Sequence, residues 1–182
     1  AAQRFKDLVT VFDSKSVSLG QRFQAEAAAV AARGGKAMGE IMVMLRDIQD
    51  RVRLFAVLDT VEYIQKGGRV AKLISVFKRI ARFFNVKPIL TMHDGEIKLL
   101  GVANSFKRGL LRIEREVLAL GPLERLGVIH VRNHEAAVQF ARRLAGKLSP
   151  HSPDILIVET GVALATHGGP GVIAAIALLA AM

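Results

Sequence analysis

Two glycine-rich segments about a hundred residues apart carry the side chains best suited to chemistry in this chain. The first is Gly67-Gly68-Arg69. Its glycines can expose backbone N–H groups, and Arg69 offers a planar fork that fits a carboxylate or phosphate. The same residues also suit a helix stop followed by a solvated arginine. The second is Thr166-His167-Gly168-Gly169-Pro170-Gly171, which follows an apolar strand. Ligands of α/β proteins often bind beyond the carboxyl ends of strands. A histidine there can donate to a carboxylate or handle a proton. A turn with an incidental histidine fits equally well, so on the residues alone both readings stay open.

Three further groups carry chemistry-bearing side chains. Asp13-Ser14 could bind a polar group or work as a catalytic pair, but such a pair commonly caps the turn that follows. An enzyme acting on small acidic metabolites would need Asp13, Ser14 and His167 to converge. His130 and His134 have the spacing of metal ligands, yet they straddle a strand-to-helix junction with no third ligand in view, so no metal is expected. No P-loop and no nucleophile elbow is present. Basic residues gather at Lys72, Lys78, Arg79 and Arg82, and again at Lys107, Arg108, Arg112 and Arg115. They support an alternative function, a basic module binding nucleic acid or an acidic protein, whose affinity would fall steeply with salt. One tyrosine and no tryptophan weaken a stacking-based nucleic-acid role, and none is expected.

The elements that must position these groups follow from periodicity and punctuation. Leu8–Phe12 reads as a strand. Helices are expected over about 20–33, closed by Gly34-Gly35, and over the segment carrying Met38, Ile41, Met42, Leu45 and Ile48. Arg53–Leu58 reads as a strand. Asp59-Thr60-Val61-Glu62 has the form of a capping box opening a short helix. A second helix, from about Val70 to Phe84, turns Val70, Leu73, Ile74, Phe77, Ala81 and Phe84 to one face. Val86–Met92 and Glu96–Val102 flank Asp94-Gly95 as a tight hairpin. A helix over 104–120, a strand over 126–131, a helix over 134–148 and a strand over 154–159 complete the pattern. The Ala-rich end is ambiguous between strand and helix. Alternating strands and helices give an α/β or mixed α+β class, and the hairpin adds an antiparallel part.

The 182 residues are 51% apolar and carry a net charge of +10, so a large core and an anionic partner are both expected. There is no cysteine, which excludes disulfides and thiolate metal sites and fits a reducing compartment. The longest apolar run, Val172–Met182, falls short of the roughly 20 residues that span a bilayer, so no stable membrane insertion is expected. Ala1–Val11 is mixed in character and does not read as a signal peptide. The chain opens within what reads as a helix tail, so it is expected to be a piece of a longer protein.

Four segments in order resemble the DegV family of bacterial fatty-acid-binding proteins. They are Val11-Phe12-Asp13-Ser14-Lys15, then Leu58-Asp59-Thr60-Val61-Glu62-Tyr63 with Gly67-Gly68-Arg69, then Lys87-Pro88-Ile89-Leu90 with Asp94-Gly95, and finally Thr166–Gly171. The family's Thr-Ser and Ser-Gly-Thr motifs, which hold the carboxylate, have no counterpart in these residues. The Ala-rich end and the basic helix at 70–84 also depart from the family pattern.

The resemblance implies a two-domain α/β architecture. Residues 1–58 would be the C-terminal part of a Rossmann-like first domain, and 59–182 a second domain with a lipid-facing sheet. It implies a cytoplasmic protein of fatty acid metabolism that buries one long-chain fatty acid and presents its carboxylate to a fatty acid kinase. The protein itself would do no chemistry and carry no cofactor besides that ligand. His167, Arg69, Thr166 and Gly168 would lie at the head group. Ile74, Phe77, Ile89 and Leu90 would line the lipid pocket, and Lys72, Lys78, Arg79 and Arg82 would face the kinase.

Overall fold

The computed structural model describes residues 8–60 and 86–181. In chain order the described elements are α1 (Leu19–Arg33), α2 (Met38–Arg51), β1 (Val52–Val57), β2 (Lys87–His93) and β3 (Glu96–Ala103). They continue with α3 (Phe106–Leu118), β4 (Leu123–His130), α4 (His134–Ala145), β5 (Ile155–Glu159), α5 (Val162–Gly168) and β6 (Ile173–Leu179). The strands form one mixed sheet in the order β3-β2-β1-β6-β4-β5. Among the described strands only β4 and β5 pair in parallel; the other neighbours are antiparallel. The mixed α/β class expected from the sequence is therefore observed. β1, which ends before residue 58, pairs with β2 on one side and β6 on the other, so residues on both sides of that position build one sheet.

Alternation along each strand sorts the core into two layers. Phe55, Val57, Val128, Ile173, Ala175 and Ala177 meet α3 and α4 through Leu110, Ile113, Val117, Phe140 and Leu144. Leu54, Ala56, Ile129, Ala174, Ile176 and Leu178 meet α1 and α2 through Leu19, Phe23 and Ile48, and Ala165 of α5 packs on this same side. The Ala-rich end is thus a central strand covered on both faces. That explains its ambiguity: a strand buried on both sides shows no alternation to read.

Local chemistry sets the ends of several elements. The Ser105 hydroxyl caps α3, accepting from the Arg108 N–H at 3.3 Å. Glu40 reaches back to the Ala37 N–H at 2.8 Å at the start of α2. Asp94 and Gly95 take φ of 53° and 75°, the paired positive values a primed hairpin turn requires. Between α3 and α4, buried Glu114 binds Lys147 Nζ at 2.6 Å and Arg143. Burial alone would raise its pKa, but Lys147 and Arg143 override that and hold the carboxyl below its usual range.

One expected element is absent. Residues 9–14 form no strand, and Leu8, Val9 and Val11 are 85%, 47% and 70% exposed. β-propensity yields a strand only beside a ladder partner, and no described strand runs along this segment. It is pinned instead by side chains: Gln49 donates to the Asp13 carbonyl at 2.6 Å, and Gln24 donates to the Ser14 carbonyl at 3.0 Å. The helices expected after Asp59 and over 70–84 lie outside the described residues. No helix among the described residues is long and apolar enough to cross a membrane.

Candidate functional site

The strand directions bring several chain segments to one end of the sheet. β1, β4 and β5 all finish there, while β2 and β6 begin there. The segment after β1 supplies Asp59, and the start of β2 supplies Lys87. Lys87 Nζ lies 2.8 Å from Asp59 Oδ1 and also donates to the Asp59 carbonyl at 2.8 Å. This pair ties the Leu-Asp-Thr segment to the Lys-Pro-Ile-Leu segment. Half of the Asp59 carboxylate is exposed, so the ion pair contributes up to about 1 kcal/mol.

The turn between α5 and β6 packs onto the same place. Gly171 has φ of +86°, and a Cβ at this position would come 2.8 Å from Asp59 Cβ. Only glycine fits both the backbone angle and the contact. Gly171 N–H donates to the Val131 carbonyl at 2.9 Å, and Val131 N–H donates to the Val172 carbonyl at 3.0 Å. The Asn133 side-chain amide donates to the Gly171 carbonyl at 3.3 Å. The described start of the Leu-Asp-Thr segment, the start of the Lys-Pro-Ile-Leu segment and Gly171 therefore meet at one strand end, while Asp94-Gly95 lies at the other end of the hairpin. The segment around Asp13 and Ser14 does not join them.

His167 occupies the last turn of α5, half-buried, with Thr166 and Gly168 beside it in the chain. These residues belong to a short helix rather than to an open loop directly after the strand. The Thr166 hydroxyl is exposed and folds back on the Ala163 carbonyl at 3.0 Å. Gly168 lies over Val172, whose Cγ2 would be 3.0 Å from an added Cβ. Ile89 and Leu90 are buried on β2 but point to opposite layers: Ile89 to α3 and α4, Leu90 to the α1, α2 and α5 side. Arg69, Ile74, Phe77, Lys72, Lys78, Arg79 and Arg82 lie outside the described residues.

Four residues at this strand end were not singled out as site residues from the sequence. Asp59 and Lys87 are one pair. Asn133 is the third. Thr160 is the fourth; its hydroxyl is buried with no hydrogen-bond partner among the described residues. His130 is buried beneath them, with Nε2 3.4 Å from His134 Nδ1. Burial lowers its pKa, a shift that Glu159 offsets and His134 reinforces. Among the described residues no group of three or more potential ligands could hold a metal.

A polar groove lies at the far end of β1, lined by Lys15, Gln49, Asp50, Arg53, Met92 and Asp94 among others. Lys15 pairs with Asp94 there at 3.2 Å. Asp13 belongs to this end too, where its carboxylate accepts from the Lys15 N–H at 2.9 Å as a turn cap. A six-residue strand, roughly 17–20 Å long, separates this groove from Gly171. Asp13, Ser14 and His167 thus do not converge. A groove walled by paired charges suits an acyl chain poorly. The strand end with His167 is therefore the candidate site. On α3 the basic residues Lys107, Arg108, Arg112 and Arg115 are exposed, with Arg112 paired to Glu116 at 2.6 Å and Arg108 bonded to Asn104 at 2.9 Å.

A family model described as an uncharacterised protein of the DegV family matches residues 1–180. A DegV domain-containing protein of Lactococcus lactis is 29% identical over 167 residues, which are 90% of this chain and 58% of the relative. The fatty acid binding DegV family protein of Streptococcus agalactiae superposes with a TM-score of 0.84 at 24% identity, over 99% of this chain and 63% of that one. DegV of Bacillus subtilis, a fatty acid binding protein, superposes with a TM-score of 0.75 at 27% identity, over 94% and 61%. The chain spans about three fifths of the length of the curated relatives it matches.

Proposed function

This chain belongs to the DegV family, and on that premise we propose that it binds one long-chain fatty acid and presents the carboxylate to a separate fatty acid kinase. The protein acts as a carrier and does no chemistry on the acid. The observation that carries the reading is the packing of Gly171, which closes the turn after the His167 helix, against the Asp59–Lys87 pair at one strand end. That end also leads directly into the chain that holds Gly67-Gly68-Arg69. Two solved relatives described as fatty acid binding add support.

The energetics of such a site are unequal between tail and head. Each buried CH₂ contributes about 0.8 kcal/mol, so the tail dominates affinity. The carboxylate is costly to bury without donors, so the head sets orientation. His167 supplies a ring N–H to the carboxylate, with Arg69, Thr166 and Gly168 assigned to its surroundings. Leu90 faces the layer that holds α5, so the tail's path is assigned to Leu90 rather than to Ile89, and Ile74 and Phe77 extend it. Lys72, Lys78, Arg79 and Arg82 are assigned to the kinase-facing surface, where they would attract an acidic partner.

Native mass spectrometry before and after addition of palmitate, followed by lipid extraction, tests the binding role. A single-acid adduct is expected, and His167→Ala should weaken it about tenfold with the melting temperature unchanged. Equal affinity in the variant removes His167 from the head-group site. Incubating the loaded protein with a fatty acid kinase and ATP tests presentation, for which acyl phosphate is the expected product. Binding without transfer removes the kinase role alone.

A further inference from the structure

His130 is 2% exposed, and the proposed carrier function leaves it without a task. Its Nδ1 lies 3.3 Å from the Asn133 backbone N–H. A backbone N–H can only donate, so Nδ1 is the unprotonated nitrogen. The proton therefore sits on Nε2, which faces His134 Nδ1 at 3.4 Å as donor. The ring thus holds Asn133 in place, and the Asn133 amide in turn holds the Gly171 carbonyl. Arg132 between them adopts φ of +49°, a backbone state that persists only under such constraint.

Charging either ring breaks this chain of bonds. A proton on His130 Nδ1 would point at the Asn133 N–H, donor against donor. A proton on His134 Nδ1 would point at His130 Nε2–H. Among the described residues, the charged and titratable groups facing the pair are Glu159 on β5, which is the cross-strand neighbour of His130, and each ring to the other. Glu159 is already engaged by the Arg132 N–H at 3.3 Å. On the β6 side the neighbour is Ile173, which is apolar.

We propose that His130 and His134 form a proton-sensitive latch on the Gly169–Gly171 turn, with His130 and Asn133 as positioning residues for the ligand site beside His167. Its effect on affinity rests on the fatty-acid reading, whereas the latch itself does not.

Hydrogen exchange at Gly171 and Val131, corrected for intrinsic rates, reads the latch without ligand between pH 8 and 5. Protection should fall about tenfold across that range in the native sequence, the loss of one hydrogen bond. His130→Asn keeps an acceptor for the Asn133 N–H and cannot titrate, so its protection should stay flat. Palmitate affinity measured in parallel should weaken with acid in the native protein beyond the change seen in His130→Asn, which carries the ligand's own ionisation. Unchanged protection in the native protein, or the same acid response in His130→Asn, overturns the latch. Acid-sensitive protection without palmitate binding at any pH supports the latch and sinks the fatty-acid reading. Should His130→Asn not fold, imidazole NMR titration of the native protein decides. Coupled midpoints support the latch, and two independent, ordinary ones overturn it.

Discussion

Gly171→Ala probes the strand end on which the functional reading depends. Two costs add at this position. An alanine held at φ of +86° is strained by roughly 1–2 kcal/mol. Its Cβ would also sit 2.8 Å from Asp59 Cβ and 3.3 Å from Cγ and Oδ2. Asp59 cannot simply swing away, because Lys87 grips both its carboxylate and its carbonyl at 2.8 Å. Overpacking of this kind costs about 1–3 kcal/mol. The sum is about 2–5 kcal/mol, or a fall of roughly 4–20 °C in melting temperature for a chain of this size. Gly35→Ala is the control: its φ is +77°, but nothing lies within 4 Å of an added Cβ. It should lose only the conformational part, about 1–2 kcal/mol. Denaturant titrations of both variants give the comparison. Losses equal to within about 0.5 kcal/mol would refute the claim that Gly171 is packed against Asp59.

Other parts of the structure give sharp expectations. Glu114→Gln should cost about 2 kcal/mol at pH 7, because it removes the charge that Lys147 and Arg143 share, and urea midpoints measure it. The folded-state pKa of Glu114 is lowered, so its contribution is present above the unfolded value of 4.5 and lost as pH falls through the folded one; the variant should lack that loss. His130 has the opposite chemistry but the same direction. The folded state resists its protonation, so stability should decline as pH drops below about 6.5, and His130→Asn should flatten that part of the profile. Ile113→Ala, at a fully buried point between α3 and the sheet, should cost about 3 kcal/mol by thermal or chemical unfolding.

The elements with a strong local pattern were legible in the sequence. Asp94-Gly95 dictated the hairpin through its backbone angles, and the helical spacing of Leu110, Ile113 and Val117 marked the inward face of α3. β6 was not legible, because burial on both faces erases the alternation that marks a strand. Leu8–Phe12 misled for the reverse reason: its composition is that of a strand, but ladder partners are a tertiary fact. The same division holds at the site. The motif around His167 could be read from residue types, and its turn glycines from their chemistry. The Asp59–Lys87 pair could not, since 28 positions of sequence separate two residues that only the β1–β2 pairing brings together. Asn133 was hidden likewise, its link to Gly171 spanning 38 positions.

Carbon-13 NMR of carboxyl-labelled palmitate mixed with the protein tests the central claim most directly. The account predicts a bound carboxyl resonance distinct from free acid, in dipolar contact with the His167 ring and displaced in His167→Ala. The contradicting result is palmitate that stays free, or a bound resonance with no His167 contact that the substitution leaves where it was.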